Sequence, residues 1–348
     1  SELVAFFATD ADLVDGMTVG PPTDVSDAPE ASLLAPMQRW FLDTVQTDRE
    51  HWNQSVLLEL RRPVEPQLIQ LALQAVVLSH PALSSRFESD KMVQVGPSSA
   101  LAAAPRMDHV RVSGKEQWRE ALASGRRGLD PAAGAMIRGT YLSIDGDSPD
   151  HLLVVVHHLV VDEVSWQILL EDLASAIEDL RAGMLPVLPS EGLGFYSWVE
   201  RLVGPASEAG AARPWLDMVA RRDGAAGTLL MGMPGREEDS HVVRFELEPV
   251  ETERLLTRLP AQLGITVQET FTGLVALAVA RWRGCPIVAL DVETHGRGGA
   301  GWDVSRTVGW FTAVQPLVIA VERAQPPVSA LRSMAAHLTP VPEEAPSF

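Results

Sequence analysis

The chain has 348 residues, 46% hydrophobic and 21% charged, which is enough to bury a large core and to build two lobes. That excludes a disordered chain, a disulfide scaffold and a fibrous repeat. With 28 basic residues against 46 acidic ones, a net charge of -18, phosphate backbones and anionic lipid surfaces are repelled, so neither nucleic acid nor membrane is expected as a partner.

Residues 1–30 carry Glu2, Asp10, Asp12, Asp15, Asp24, Asp27 and Glu30 and no lysine or arginine, with Pro21-Pro22 in the middle. This reads as a solvated acidic leader or linker, whose LVAFF stretch is apolar enough to dock on the body. The N-terminus lacks the basic flank and apolar core of a secretory signal, and no apolar run reaches the length of a membrane span. Cys285 is the single cysteine, so no internal disulfide can form and a reducing, cytoplasmic setting is expected.

From Leu33 onward helical periodicity alternates with short apolar strands, the pattern of a mixed α/β protein. After Pro66, residues Leu68, Ile69, Ala72, Leu73, Val76 and Val77 share one helical face, and the helix stops at His80-Pro81 because a residue before proline resists the helical region. His151–His157 (HLLVVVH) reads as a strand covered on both faces. It leads into a helix on which Trp166, Leu169, Leu170, Leu173, Ile177 and Leu180 recur, with Gly183 as its stop. Residues 184–240, rich in Gly, Pro and Ala, suggest a crossover between halves, placing the boundary near residue 195. His241–Glu248 (HVVRFELE) reads as a strand followed by a helix. Thr266-Val-Gln-Glu269 has capping-box spacing for a helix to about Trp282, and Ile287–Val292 reads as another buried strand.

Two clusters can carry chemistry. His157 and His158, followed by Asp162 and Glu163, lie where a buried strand meets a helix, a common place for active sites. Adjacent strand residues face opposite ways, so one histidine can move a proton near neutral pH while the other locks the strand. The alternative is a satisfied hydrogen-bond network. Metal binding is not expected, since no second ligand pair is near and one cysteine makes no thiolate site. The second cluster, Glu293 to Arg297 with His295 between them, ends an apolar strand. Desolvation there would raise the glutamate's pKa, and Arg297 or His295 would oppose that shift; the alternative is a loop salt bridge. No phosphate loop and no Gly-x-Ser-x-Gly elbow is present. The nine tryptophans suit a core or tunnel lining better than a base-stacking platform.

His157-His-Leu-Val-Val-Asp162 with Val164-Ser-Trp-Gln-Ile-Leu resembles the HHxxxDG signature of the condensation-type domains of nonribosomal peptide synthetases. Pro36-Met-Gln-Arg-Trp-Phe41, His51-Trp-Asn-Gln-Ser55, Val292-Glu-Thr-His-Gly-Arg297 and Asp303-Val-Ser-Arg-Thr-Val-Gly-Trp-Phe-Thr312 resemble the epimerization branch of that family in order and spacing, over residues 33 to 320. The resemblance implies a chloramphenicol-acetyltransferase-like α/β fold, two lobes in a V around a tunnel. The expected division is an acidic leader over 1–30, an N-terminal lobe over 31–195 and a C-terminal lobe over 196–348. No cofactor is bound; the phosphopantetheine arm of a carrier protein delivers an aminoacyl or peptidyl thioester, with other synthetase domains as further partners.

By the same resemblance His158 and Glu293 are the acid/base pair, because inverting an α-carbon requires removing a proton from one face and returning one to the other. Asp162 is structural, ion-paired with an arginine of the N-terminal lobe, and Ser305 to Thr312, Trp310 included, line or brace the tunnel with His157, Trp166, His295 and Arg297 in support. Three departures stand out. Ser84 occupies the place of the usual arginine, with Arg86 nearby. Glu163 and Thr294 each replace a glycine, and Glu163 is placed to crowd the tunnel, raise the pKa of His158 or act as a new acid/base group. The chain ends at Ser347-Phe348, before a helical stretch and an Asn-Tyr-containing strand of the family, so a shortened C-terminal lobe is expected. The alternatives to epimerization are another reaction on the carrier-bound substrate (elimination, cyclisation, hydrolysis or acyl transfer) and a non-catalytic docking module.

Overall fold

In the computed structural model, residues 3–7, 31–88, 91–94, 105–146, 148–206, 220, 241, 243–298 and 301–338 are described. Most of the acidic leader and of the 184–240 crossover lies outside them. The chain divides into two compact units, Ser1–Pro205 with His295–Ala313, and Ala206–Thr294 with Val314–Phe348.

The first unit is organised by a five-stranded sheet in the order β1 (Leu3–Phe7), β3 (Asn53–Leu60), β8 (Asp150–His157), β7 (Ile137–Ile144) and β6 (Arg106–Val112). Strand β8 is central and its residues Leu152 to Val156 are at most 3% exposed, which is why an unbroken apolar run suits it. It is antiparallel to both neighbours, whereas the β1–β3 and β6–β7 pairs are parallel. The LVAFF stretch is β1, an edge strand, so these leader residues belong to the sheet. A small antiparallel sheet of β2 (Ala31–Ser32), β5 (Lys91–Gln94) and β4 (Ser85–Glu88) completes the strands.

The helices of this unit are α1 (Pro36–Thr44), α2 (Pro66–Ser79), α3 (Lys115–Gly125), α4 (Glu163–Arg181) and α5 (Phe195–Ala206). Helix α2 buries the face read from its periodicity and ends at His80, and it packs beside α4. Helix α4 ends at Arg181, with Gly183 at φ +73°, a conformation that glycine adopts without a Cβ penalty.

In the second unit helix α6 (Pro249–Leu263), α7 (Val267–Arg283), which follows it at a bend of 95°, and α8 (Pro327–Leu338) accompany a β9–β10 pair (Ile287–Thr294 and Ala313–Ala320). Pro260 lacks an N–H and crowds the carbonyl four residues back, and the helix opens into a π turn over Arg254–Arg258 just before it. The Thr266 capping box forms as expected and starts α7. The core joins Ala276, Leu277 and Ala280 of α7 to Val288, Leu317 and Leu331, with the half-buried Cys285 against it.

Two expectations fail in this unit. Residues 243–248 form no strand and are exposed, Phe245 to 83%, because no ladder partner lies alongside them among the described residues. Strand β9 is not covered on both faces: Val288 is buried, but Ile287, Asp291 and Glu293 are exposed. No single helix among the described residues is long and apolar enough to cross a membrane.

Candidate active site

The β3–β8 ladder ends at the Asn53–His157 pair, and the chain then enters a short turn, His158–Val160, before α4. This termination sends the two histidines into different environments. His157 is fully buried; its Nε2 donates to the Arg49 carbonyl at 2.7 Å and its Nδ1 accepts from the Leu159 amide at 3.2 Å. Burial drives its pKa down to about 4, against a smaller opposing effect of the Arg49 carbonyl. It is a neutral side chain that locks strand to turn.

His158 is half-buried. Its Nε2 lies 2.9 Å from Gln54 Nε2 on β3, and its ring lies 4.4 Å from that of Trp310 at a tilt of 39°. Trp166, on the second turn of α4, donates from its indole nitrogen to Gln54 Oε1 at 2.7 Å. Of the expected supporting residues, Trp166 and Trp310 are thus brought to His158. Gln54 was legible only as part of the HWNQS stretch, with no role attached to it.

Asp162 caps α4, its Oδ1 accepting from the Ser165 amide at 2.7 Å. The expected ion pair exists, but not with an arginine of the expected N-terminal lobe, residues 31–195: Arg86 instead pairs with the exposed Glu88 at 3.3 Å, and Ser84 is a short buried polar side chain. The partner is Arg297, whose Nη2 lies 2.9 and 3.1 Å from the two Asp162 oxygens and 3.0 Å from Ser165 Oγ. Arg297 Nη1 donates to the carbonyls of Val304 and Thr307 at 2.9 and 2.8 Å, and the guanidinium sits 4.0 Å over the Phe311 ring. The Phe311 amide donates to Asp162 Oδ2 at 3.1 Å. One carboxylate and one guanidinium therefore tie residues 295–313 to the start of α4, and desolvation lowers the Arg297 pKa against that pairing.

The close approach needs Gly296. Its φ is +63°, and an added Cβ would lie 1.7 Å from the Phe311 carbonyl oxygen. Gly296→Ala is expected to cost about 2 kcal/mol of stability through strain and a displaced strap, read as a lowered urea midpoint at unchanged m-value.

The remaining expected residues are more open. Glu293 is exposed and not desolvated as expected at the end of a buried strand, and Arg297 is directed to Asp162; the Glu293 carbonyl accepts from Gln268 at 3.0 Å. Glu163 is exposed in the first turn of α4, where a carboxylate suits the helix dipole. His295 is exposed and accepts the Arg297 amide on Nδ1 at 3.0 Å. Ser305 is exposed and braces the loop: its hydroxyl and amide donate to Asp303 at 2.6 and 3.1 Å, holding that carboxyl below its usual range.

A second buried cluster supports the same loop. His80 is fully buried, with Nε2 at 2.8 Å from Asp172 on α4 and Nδ1 at 3.0 Å from Glu191. Arg306 reaches Asp172 at 2.5 Å, and Glu191 accepts the Val308 amide at 3.1 Å. Burial lowers the His80 pKa, but the two carboxylates outweigh it and the net shift is upward. In the sequence His80 was visible only as the end of α2.

The condensation-domain family matches residues 30–345. Chondramide synthase cmdD of Chondromyces crocatus is 33% identical over 82% of this chain, which spans 8% of that protein. Surfactin synthase subunit 1 of Bacillus subtilis (strain 168) is 30% identical over 90% of this chain, or 9% of its own length. The chain thus spans under a tenth of these two relatives. Among solved structures, the epimerization domain from the third module of tyrocidine synthetase B aligns with a TM-score of 0.78 at 25% identity, covering 88% of this chain and 70% of that one. The first condensation domain of the calcium-dependent antibiotic synthetase aligns with a TM-score of 0.69 at 20% identity, over 88% and 73%, a likeness of fold. With the double histidine, the capping aspartate and the ETHGR arginine joined in one unit, and the family match running through nearly all of the chain, this protein belongs to the condensation-domain family of nonribosomal peptide synthetases.

Proposed function

We propose that the chain is an epimerization domain, inverting the α-carbon of an aminoacyl or peptidyl thioester held on the phosphopantetheine arm of a carrier protein. The observation that carries this reading is the division of labour in the double histidine: His157 is fully buried with both ring nitrogens engaged by backbone groups, whereas His158 is half-buried beside Gln54 and Trp310. The two imidazoles stand in different surroundings, and His158 is the one assigned to proton transfer. The 0.78 TM-score with an epimerization domain and the retained Glu293 support the same reading.

In this reading one of His158 and Glu293 takes the α-proton, the C–H electron pair moves into the thioester carbonyl as an enolate, and the other returns a proton to the opposite face. Hydrogen-bond donors must hold the enolate oxygen as its charge develops. No cofactor enters the step. The carrier protein and neighbouring synthetase domains are the partners, in the cytoplasm, as part of peptide antibiotic biosynthesis.

The test is incubation in D2O with a carrier protein loaded with L-aminoacyl thioesters, followed by release and by mass and chiral analysis. The expected result is D-product carrying one deuterium at the α-carbon, with exchange reduced about 100-fold or more in His158→Ala and in Glu293→Gln. A product of new mass, such as a peptide bond formed with an acceptor amine, would overturn epimerization in favour of condensation chemistry.

A further inference from the structure

The three groups Trp166, Gln54 and His158 form a chain whose hydrogen-bond polarity chemistry alone decides. An indole nitrogen is a donor and never an acceptor. The Gln54 atom 2.7 Å from it must therefore be the carbonyl oxygen, which turns the amide NH2 toward His158 Nε2 at 2.9 Å. An amide NH2 only donates, so Nε2 must carry a lone pair and the imidazole proton must reside on Nδ1.

We propose that Gln54 and Trp166 are positioning residues that fix His158 as the neutral Nδ1–H tautomer, with its lone pair on Nε2. The neighbouring histidine is fixed the opposite way. His157 Nε2 faces the Arg49 carbonyl and must be protonated, while its Nδ1 accepts an amide proton. Consecutive histidines are thus held in opposite tautomers by different partners.

The scaffold for this relay is rigid at each step. Gln54 stands on β3 in register with Val156 of the central strand. Trp166 is 7% exposed, and its amide bonds to the carbonyl of Asp162, the residue clamped by Arg297. Trp310, 3% exposed, packs against the imidazole. The clamp at the start of α4 therefore reaches His158 through Trp166 and Gln54. The catalytic consequence, a proton held on Nδ1 while the Gln54 amide occupies the Nε2 lone pair, rests on the acid/base role proposed above; the tautomer itself does not.

The experiment is two-bond proton–nitrogen NMR on full-length protein labelled with 15N-histidine, the His158 signals being identified by their loss in His158→Ala. The expected wild-type spectrum at pH 8 shows His158 with a protonated Nδ1 and an unprotonated Nε2, and His157 with the reverse pattern. Gln54→Leu should redistribute the His158 proton between both nitrogens. Gln54→Glu, which replaces the donor with an acceptor, should move the proton to Nε2. Trp166→Phe should give an intermediate mixture, because the Gln54 amide is then free to turn over. His157 stays unchanged in every variant and reports that the unit is folded. If the domain epimerizes, kcat in Gln54→Leu falls at least about tenfold with KM little changed, as expected when the wrong tautomer is presented. A wild-type His158 protonated on Nε2, or a tautomer unmoved in Gln54→Leu and Gln54→Glu while His157 is intact, overturns the relay. A wild-type protein with the expected tautomer and no α-proton exchange would overturn epimerization and leave the relay standing.

Discussion

Replacing Arg297 with methionine is expected to destabilise the first unit by about 3–5 kcal/mol, the range found when one partner of a buried ion pair is removed. The size follows from what remains. Asp162 is 4% exposed, and without the guanidinium its carboxylate keeps, among the described residues, the Ser165 and Phe311 donors in a place from which water is excluded. The Val304 and Thr307 carbonyls and the Phe311 ring lose their shared partner as well. Arg297→Lys should recover part of the loss, because an ammonium keeps the charge but cannot span two carboxylate oxygens and two carbonyls as a planar fork does. Urea unfolding followed by tryptophan fluorescence gives the numbers. The double variant Asp162→Asn with Arg297→Met should lose markedly less than the sum of the single losses. A single-variant loss below about 1 kcal/mol would mean that the pair behaves as a solvated surface bridge.

His80→Leu is expected to cost about 3–5 kcal/mol for the same reason, since Asp172 and Glu191 would face an apolar side chain where a fully buried imidazole now bridges them. Arg306 would still neutralise Asp172, leaving Glu191 as the more exposed to the loss. The pairing also sets a pH dependence. The folded pKa of His80 is raised, so its contribution is fully present below the unfolded value of about 6.5 and is lost as pH rises through the higher folded value. His157 acts in the opposite sense. Its folded pKa is depressed to about 4, so its contribution, about 3 kcal/mol by linkage, is present above about 6.5 and is lost as pH falls toward 4. Stability against pH should therefore form a dome between the two. In His80→Gln the alkaline decline attributable to this site should vanish and the acid limb should remain; an unchanged alkaline limb would place its origin elsewhere.

Much of this arrangement is local and was legible in the chain. The α2 face, the Gly183 stop and the Thr266 capping box depend on residues within a few positions of one another, and all three form as read. The apolar run of β8 announced a strand covered on both faces, since only a central strand can hide five consecutive apolar side chains. The β9 run looked similar yet lies half-exposed, because an apolar run records composition and not how many neighbours a strand has. The HVVRFELE stretch misled for a related reason: alternation favours a strand, but a strand also needs a ladder partner.

The double histidine, its aspartate and the ETHGR motif, together with the α/β class, were determined by sequence. Tertiary structure alone decided which histidine is locked, where the arginine goes and which groups lie beside His158. His157 and His158 are the same residue type one position apart, and only the end of the β3 ladder separates a buried neutral imidazole from a half-buried one. Asp162 and Arg297 lie 135 positions apart in the chain, and Gln54 and Trp166 lie 112 apart. Hydrogen-bond polarity and charge pairing act through space over about 3 Å, and a spacing in sequence does not record which distant groups folding brings within that reach.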